Sequence, residues 1–310
     1  MRRDPSQSPY GQPRRRGFGF NPRLLILAAF ALYGLYYYFS NRTVDPYTGE
    51  KVLIDKNMDA REEEAMGLQA YQEILSQERA VDPNAQISQQ INTIAARLVD
   101  KIDEVEGALA EEHGQQPKNF AEGFNWQVTV LDSPQANAFA LPGGKMAVYT
   151  GLVPVAQNAD GMAVVMGHEI AHALMRHGAQ RMSRGKLEQM AAMGAAAGGV
   201  DPGIQQAVFS AYGVTSQLPY ARDHESQADE VGLLLMAAAC FNPDEAVPLW
   251  ERMAANAGGS SGPEFASTHP SPESRIEHLR SLLPKAHEYR DRFCTDPAAK
   301  QQPAAATGSY

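Results

Sequence analysis

The fold is decided by the stretch Val164-Val165-Met166-Gly167-His168-Glu169-Ile170-Ala171-His172-Ala173-Leu174, which places a His-Glu-x-x-His pattern inside an apolar run typical of a buried helix. Residues four apart on a helix lie on one face, about 6 Å apart along the axis, so His168 and His172 can reach one ion. Glu169 projects about 100° away from His168, beside that ion, where it can hold a water molecule. This arrangement is what a zinc hydrolase needs, and two core histidines without a metal are the alternative.

A third metal ligand is predicted at Glu225, within residues 222–232. Catalytic zinc commonly takes two histidines and one glutamate and leaves the fourth position to water. Glu225 and Asp229 are four residues apart, so one helical face presents a carboxylate to the metal and a second carboxylate to a ligand imidazole. A metal-bound histidine usually donates its other N–H group to such a partner, and we expect Asp229 there. For these two residues alone, a solvated acidic helix face is the alternative.

Four sequence blocks resemble one family of metallopeptidases. They are residues 137–144, residues 168–177, residues 222–232, and Ser267-Thr268-His269-Pro270 followed by Ser274-Arg275-Ile276. In this order and with these gaps the chain is similar to the HtpX-like and CAAX-prenyl-protease-like zinc metallopeptidases, family forty-eight of the metallopeptidase classification. The resemblance covers most of residues 58–285. It implies an α+β, mostly helical, zincin-type (gluzincin) domain with a small β-sheet next to the active-site helix, and one Zn²⁺ per chain.

The strands of that sheet are predicted from alternating side chains. Residues 126–131 and 145–150 alternate as half-buried strands, and a Pro-Gly-Gly turn follows a further strand over residues 137–141. The resemblance implies that this further strand lies near the metal, so a substrate peptide could add to it as an extra strand. The residues assigned to substrate binding are therefore Asn137, Ala138, Phe139 and Ala140. An ordinary hairpin is the alternative.

The last block places His269 and Arg275 at the active site, on the strength of the resemblance. Two roles are open for His269. As a hydrogen-bond donor it could stabilise the oxyanion of a tetrahedral intermediate; as a neutral imidazole it could occupy the fourth zinc position and make the resting enzyme self-inhibited. Arg275 is assigned to substrate binding. The active-site helix is expected to end near Gly178, and His177 is expected to be structural or exposed, since another ligand would close the site to water.

The N-terminal part divides into a basic tail and an apolar run. Six arginines against one aspartate give residues 1–23 a net charge of +5, which leaves −14 for the rest of a chain whose net charge is −9. An acidic body of this kind argues against nucleic-acid binding. The tail contains several prolines and is expected to be disordered. Residues 24–39 carry no charge and end in tyrosines suited to a membrane interface.

We interpret residues 24–40 as one transmembrane anchor. Arginines before the run keep the N-terminus in the cytoplasm, so the catalytic domain would face the periplasm from a bacterial inner membrane. The first alternative is cleavage after Ala29-Phe30-Ala31, which would export a soluble protein; a mitochondrial presequence is another. Residues 41–57 are expected to be a linker with a turn, residues 58–294 the protease domain, and residues 295–310 a disordered tail.

Two helices with apolar stripes are predicted before the sheet, one from Asp59 and one from Pro83 through Val105. Residues 185–218 are rich in alanine, glycine and methionine and lie between the predicted zinc ligands. Asp201 and two glutamines argue against a second membrane span there, so we expect helical packing or a mobile lid.

Cys240 and Cys294 are the only cysteines. In an oxidising compartment they would form a disulfide bond that closes a long loop, and in a reducing compartment they would be free thiols.

Together these features predict zinc-dependent hydrolysis of peptide bonds. His168, His172 and Glu225 would hold the zinc, and Glu169 would take a proton from water and later deliver it to the leaving amine. Quality control of misfolded or specific membrane and envelope proteins is what the resemblance implies, with polypeptides as substrates and the oligomeric state left open. The alternatives are a membrane-tethered chaperone or assembly factor with a latent zinc site, and a prenyl-peptide protease.

Overall fold

The computed structural model describes residues 21–212, 218–256, 269 and 273–295. Most of the described chain is helical, and a small sheet lies beside the helix that carries the His-Glu-x-x-His pattern. The predicted α+β, mostly helical architecture is therefore confirmed. Most of the expected N-terminal tail, nearly all of the C-terminal tail and the immediate neighbours of His269 lie outside the described residues.

The helices, in chain order, are α1 (Pro22–Ser40), α2 (Ala60–Gln77), α3 (Gln86–Val99), α4 (Ile102–Glu112), α5 (Val153–Ala156), α6 (Ala159–Leu174), α7 (His177–Ala197), α8 (Pro202–Tyr212), α9 (Leu218–Ala238), α10 (Ala246–Asn256) and α11 (Glu273–Phe293). The strands are β1 (Arg42–Val44), β2 (Lys51–Leu53), β3 (Gln127–Leu131), β4 (Ala138–Leu141) and β5 (Lys145–Tyr149). Each predicted strand is observed to within one residue at either end.

Helix α6 is the centre of the domain, because every residue from Asp160 to Leu174 is buried. A helix that is covered on all sides needs apolar side chains all round, which is what the run in the sequence supplies. Its first turn is fixed by Asn158, whose side-chain oxygen accepts a hydrogen bond from the N–H of Gly161 at 2.8 Å. The sheet and helices α3, α9 and α10 pack around it.

Helices α6 and α9 cross where each has a glycine. A Cβ atom built on Gly167 would lie 2.8 Å from the carbonyl oxygen of Gly232, and one built on Gly232 would lie 2.7 Å from the backbone nitrogen of His168. Both distances are shorter than a van der Waals contact, so only glycine lets the two backbones come this close. The crossing carries Glu225, two turns before Gly232, to the histidines of α6.

Helix α6 ends at Leu174, four residues earlier than the predicted end at Gly178. Arg176 has φ +55°, in the left-handed region, and separates α6 from α7. This conformation costs roughly 1–2 kcal/mol for a residue with a Cβ atom. It is held by the guanidinium group, which donates to Glu63 Oε1 at 2.9 Å and to the carbonyl of Met58 at 3.0 Å. A new helix therefore begins at His177 in a new direction.

The sheet has the strand order β3-β5-β4, with β3 parallel and β4 antiparallel to β5. Gly143 and Gly144 form the predicted turn between β4 and β5, with φ values of +82° and +83° that favour glycine. Strand β4 lies at the edge and contacts α6, where the N–H of Ala140 donates to Glu169 Oε2 at 3.3 Å. The sheet thus borders the predicted site.

Two segments differ from the expectation. The helix predicted from Pro83 through Val105 is divided, since α3 ends at Val99 and α4 begins at Ile102. The expected linker over residues 41–57 contains the antiparallel hairpin β1–β2. The hairpin is joined to α7, because the N–H of Asp55 donates to Ser183 Oγ at 2.8 Å.

Cys240 and Cys294 form a disulfide bond in the structure. The bond joins the chain just after α9 to the chain just after α11, across a sequence separation of 54 residues. Of the two states that the sequence leaves open, the structure has the bonded one. His269 lies within the closed segment.

Replacing Gly232 with alanine should destabilise the fold by about 1–3 kcal/mol, because the new methyl group would overlap the backbone of α6 and force the helices apart. Urea unfolding of the full chain would measure this. Gly107→Ala on α4 is the matched control, since a Cβ atom there meets nothing within 4 Å, and alanine favours a helix. Bound metal should fall in Gly232→Ala alone. Equal stability of the two variants would show that the crossing does not need glycine.

Candidate metal centre

Four side chains converge beside α6. The Nε2 atoms of His168 and His172 are 3.1 Å apart. Glu225 contributes both oxygens, with Oε2 3.3 Å from His168 Nε2 and Oε1 3.4 Å from His172 Nε2. The Nδ1 atom of His269 lies 3.2 Å from His168 Nε2 and 2.8 Å from Glu225 Oε2. The structure therefore brings the three predicted ligands together and adds His269 to them.

These separations fit a tetrahedral metal ion. Ligand atoms placed about 2.0–2.1 Å from zinc lie about 3.3 Å from one another in a tetrahedron, close to the distances observed. Imidazole nitrogens and a carboxylate oxygen are also the donors that zinc accepts. Both histidines of α6 are buried, so the donors are held by the core rather than by a mobile surface. The residues present fit a metal with two ligands from α6, one from α9, and His269 at the fourth corner.

The local charges favour a cation. Burial opposes the charged form of His168, but hydrogen bonds with Asp229 and Glu225 outweigh it and raise the pKa of that imidazole to about 9. Burial dominates at His172 and lowers its pKa to about 3. Burial also opposes the ionised form of Glu225, yet hydrogen bonds with His168, His172 and His269 hold the pKa of its carboxyl below the ordinary value. A partly buried carboxylate that stays ionised provides a setting that stabilises a positive ion.

Asp229 and Arg275 form a buried ion pair behind His168. Asp229 Oδ1 lies 3.0 Å from His168 Nδ1, as predicted for the carboxylate that orients a ligand. Arg275, which the sequence analysis assigns to substrate binding, is the partner of Asp229 in this pair. Its Nε and Nη2 atoms donate to the two oxygens of Asp229 at 2.6 Å each, and its guanidinium lies 3.5 Å from the ring centroid of Trp250. Arg275 is buried there, and its two hydrogen bonds support Asp229.

Glu169 lies beside the cluster rather than in it. Its Oε2 atom accepts the hydrogen bond from Ala140. Its buried Oε1 atom accepts no hydrogen bond within the described part of the chain, and His269 Nε2 lies 3.4 Å away. A carboxylate oxygen that faces the cluster without a donor of its own is able to receive a proton.

Comparison with known proteins assigns the family. Residues 100–283 match Peptidase family M48. The chain belongs to this family. It is 32% identical to "Mitochondrial metalloendopeptidase OMA1" of Schizosaccharomyces pombe over 89% of this chain and 78% of that protein. It is 32% identical to the protein of the same name from Saccharomyces cerevisiae, over 71% of this chain and 63% of that protein. A "Beta-barrel assembly-enhancing protease" of Escherichia coli O157:H7 is 27% identical over 63% of this chain and 38% of that protein.

Membership of M48 confirms the resemblance to zinc metallopeptidases that the four sequence blocks indicate. It also confirms, at the level of the family, the prediction of a metalloendopeptidase, since the OMA1 relatives carry that name. A metallopeptidase family implies a metal, and the matched residues include both α6 and α9. The chain spans less than two thirds of the length of the S. cerevisiae and E. coli relatives.

A further histidine of this M48 chain orients His172. The Nδ1 atoms of His172 and His177 are 2.7 Å apart, and His177 Nε2 lies 3.1 Å from Gln227 Oε1. Gln227 Nε2 in turn donates to Glu50 Oε2 at 2.9 Å. Because a carboxylate only accepts hydrogen bonds, Gln227 must turn its amide oxygen toward His177. His177 then carries its proton on Nε2, accepts the Nδ1–H of His172, and leaves the lone pair of His172 Nε2 for the metal.

The sequence did not indicate that His177 orients His172. On a helix that continued to Gly178, a residue five positions after His172 would face about 140° away from it. The left-handed residue Arg176 redirects the chain, and only then can His177 reach His172. Burial lowers the pKa of His177 well below its ordinary value, which keeps the ring neutral and able to accept. Its ring also stacks on His224, with centroids 3.9 Å apart.

The strand assigned to substrate binding has an available edge. The N–H of Tyr149 donates to the carbonyl of Asn137 at 3.0 Å, so Asn137 pairs with β5. By alternation, Ala138 and Ala140 direct their backbone groups to the opposite edge, toward Glu169. Phe139 packs against Tyr149. Among the described residues β4 pairs with β5 alone, and the N–H of Ala140 on its other edge donates to Glu169.

Replacing His177 should weaken metal binding only when the new side chain cannot accept the hydrogen bond from His172 Nδ1–H. His177→Leu removes the acceptor for His172 Nδ1–H and should lower zinc affinity about 10- to 100-fold. His177→Asn places an amide oxygen near the former Nδ1 position and should retain affinity within a few-fold. Competition with a chromophoric chelator would measure both. Equal loss in the two variants would mean that His177 acts only through packing.

Proposed function

We propose that this M48 protein is a zinc endopeptidase that cleaves misfolded or specific membrane and envelope proteins. The observation that carries the proposal is the position of Glu169, whose unbonded Oε1 faces a cluster with distances that suit zinc. His168, His172 and Glu225 would hold one Zn²⁺ per chain. The protease names of the relatives support the same reaction class.

The chain's own residues handle the proton and the substrate. Zinc, when bound, would supply Lewis acidity that polarises the scissile carbonyl and makes water more acidic. Glu169 Oε1 takes a proton from the attacking water and delivers it to the leaving amine. Its other oxygen stays bonded to Ala140, which fixes the direction of the carboxylate. A substrate strand beside Ala138 and Ala140 would bring its scissile bond next to Glu169.

His269 occupies the fourth corner, and we take this arrangement as the resting state. An imidazole at that corner excludes both water and a substrate carbonyl, so it must move away before cleavage. Arg275 holds the backbone of His269 in place by donating to its carbonyl oxygen at 3.3 Å. Of the two roles that the sequence leaves open, the geometry favours self-inhibition over oxyanion binding.

Helix α1 is proposed to anchor the protein in a bacterial inner membrane. Within the described residues it is the helix that is long and apolar enough to cross a bilayer, a length and composition that it shares with signal sequences. The arginines before it would stay in the cytoplasm and the protease domain would face the periplasm. The bond between Cys240 and Cys294 supports an oxidising compartment.

A chaperone or assembly factor with a latent zinc site is the second candidate. The position of His269 favours this candidate, because an imidazole at the fourth corner keeps water and substrate away from the metal. A protein that does not cleave peptides needs no such access. Glu169 speaks against it, since a purely structural site gains little from an extra carboxylate next to the metal.

Glu169→Gln should retain zinc and lose cleavage of unfolded casein by about 10²- to 10⁴-fold, the usual contribution of a general base. The assay uses the full chain in detergent, with zinc measured in parallel. Glu62→Gln, an exposed residue in the first turn of α2, removes the same charge away from the site and should be unaffected. Chelator-sensitive cleavage that survives in Glu169→Gln would remove Glu169 from the mechanism. Zinc without cleavage in the wild type as well would favour the latent site.

His269→Ala should increase cleavage about tenfold, which corresponds to about 1.4 kcal/mol of released inhibition. The initial rate on the same unfolded substrate measures it. His113→Ala, an exposed histidine just after α4, is the control. A rate that falls in His269→Ala alone would assign His269 to the oxyanion instead.

A further inference from the structure

We propose that residues 190–200, which form the second half of α7 and the turn after it, enter the lipid bilayer beside α1. We call this segment the membrane arm, and its partner is the acyl-chain region of the bilayer. The proposal rests on the proposed function in one respect, namely that α1 is a membrane anchor.

Helix α7 runs antiparallel to α1, and the part of α7 from Leu187 onward lies against α1. The neighbouring residues, in order along α7, are Leu187 with Gly34, Gly194 with Phe30, Gly198 with Leu27, and Gly199 with Arg23. A Cβ atom on Gly194 would lie 2.6 Å from Cβ of Phe30, and one on Gly198 would lie 2.4 Å from Cγ of Leu27. Small residues allow membrane helices to approach in the same way. Two helices in contact along their length share one depth, so a bilayer around α1 also surrounds the arm.

The arm has the composition of an embedded segment. Residues 190–200 read Met-Ala-Ala-Met-Gly-Ala-Ala-Ala-Gly-Gly-Val, without one polar side chain. Its eight helical residues, 190–197, extend about 12 Å, well over a third of a 30 Å hydrocarbon core. Met193 is 55% exposed, and α8 adds Ile204 and Val208 at 59% and 60%. In water this would be an exposed apolar surface, whereas acyl chains would cover it.

Charged groups lie at both ends of the arm, with a tyrosine near one of them. Before it, Lys186 Nζ lies 2.6 Å from Asp55 Oδ2 and 5.4 Å from the ring centroid of Tyr37, near the C-terminal end of α1. After it comes Asp201, next to the contact with Arg23 at the N-terminal end of α1. Ionic groups at both ends and a tyrosine at one end, with an apolar segment between them, are typical of membrane-embedded helices.

The polar residues that argue against a second span lie beyond the arm. Asp201 and Gln206 belong to the turn and to α8, and Gln205 is satisfied locally because its Nε2 donates to the carbonyl of Val200 at 2.8 Å. The arm therefore extends beside α1 from the level of Leu187 and Gly34 to that of Gly199 and Arg23, with these polar residues beyond its end. Since α7 begins at His177, the metal centre is held close to the membrane surface.

The test places a fluorescent probe at three positions of the full chain in phosphatidylcholine–phosphatidylglycerol vesicles. Single cysteines replace Met193 in the arm, Met182 in the first half of α7, and Leu32 on α1. Met182 is the matched control, since it is an exposed methionine of the same helix. The native cysteines are bonded to each other and do not react. Quenching by nitroxides on the lipid acyl chains is compared with quenching by aqueous iodide.

The proposal expects the probes at Met193 and Leu32 to be quenched several-fold more by nitroxide lipid than the probe at Met182, with the order reversed for iodide. If the probe at Met193 is quenched like the probe at Met182 while the probe at Leu32 is quenched by nitroxide lipid, the arm lies outside the bilayer. Helix α1 would then be the anchor without the arm beside it in the lipid. If the probe at Leu32 is quenched by iodide and not by nitroxide lipid, α1 is not a membrane anchor, and the proposal for the arm is wrong as well. Because quenching does not depend on proteolysis, either result can be told apart from a failure of the proposed enzyme activity.

Discussion

The crossing of α6 and α9 is the constraint on which the rest of the structure depends. Because neither Gly167 nor Gly232 has a side chain, the two backbones touch, and this contact sets both the distance and the angle between the helices. Metal ligation tolerates errors of about 0.2 Å in ligand distance, so a ligand set divided between two helices needs a contact of this rigidity. Helix α6 carries Glu169, whose carboxylate accepts a hydrogen bond from the sheet, and α11 brings Arg275 to a position that the crossing has already determined.

The buried charges at the centre are unequal in number. Glu169, Glu225 and Asp229 are carboxylates, whereas Arg275 is the permanent cation among the residues that surround His168. Burying ions is unfavourable unless each has a partner, and the excess of carboxylate leaves room for one more positive charge. Hydrogen bonds with Asp229 and Glu225 raise the pKa of His168, and the same carboxylates would stabilise a metal ion. The raised pKa of His168 and the fit to a metal thus have the same origin.

The sequence allowed the fold class, the strands and the convergence of His168, His172 and Glu225 to be predicted, because helical spacing and ligand chemistry leave few options. The place of His177 could not be predicted, since it depends on a left-handed Arg176 that is held by Glu63, more than a hundred residues earlier in the chain. The break between α3 and α4, the hairpin in the expected linker and the course of α7 along α1 were likewise missed. Each is decided by tertiary contacts that leave no local periodicity.

The first part of α7 also fixes the distance between the metal ligands and the end of α1. Nine residues separate His177, next to the metal ligands, from Lys186, where charged and aromatic groups meet at the end of α1; measured along the helix this is about 14 Å. An extended polypeptide covers the same distance in about four residues. For a substrate that emerges from the bilayer that holds α1, the fold would therefore favour cleavage of bonds a few residues outside the lipid, whatever their side chains.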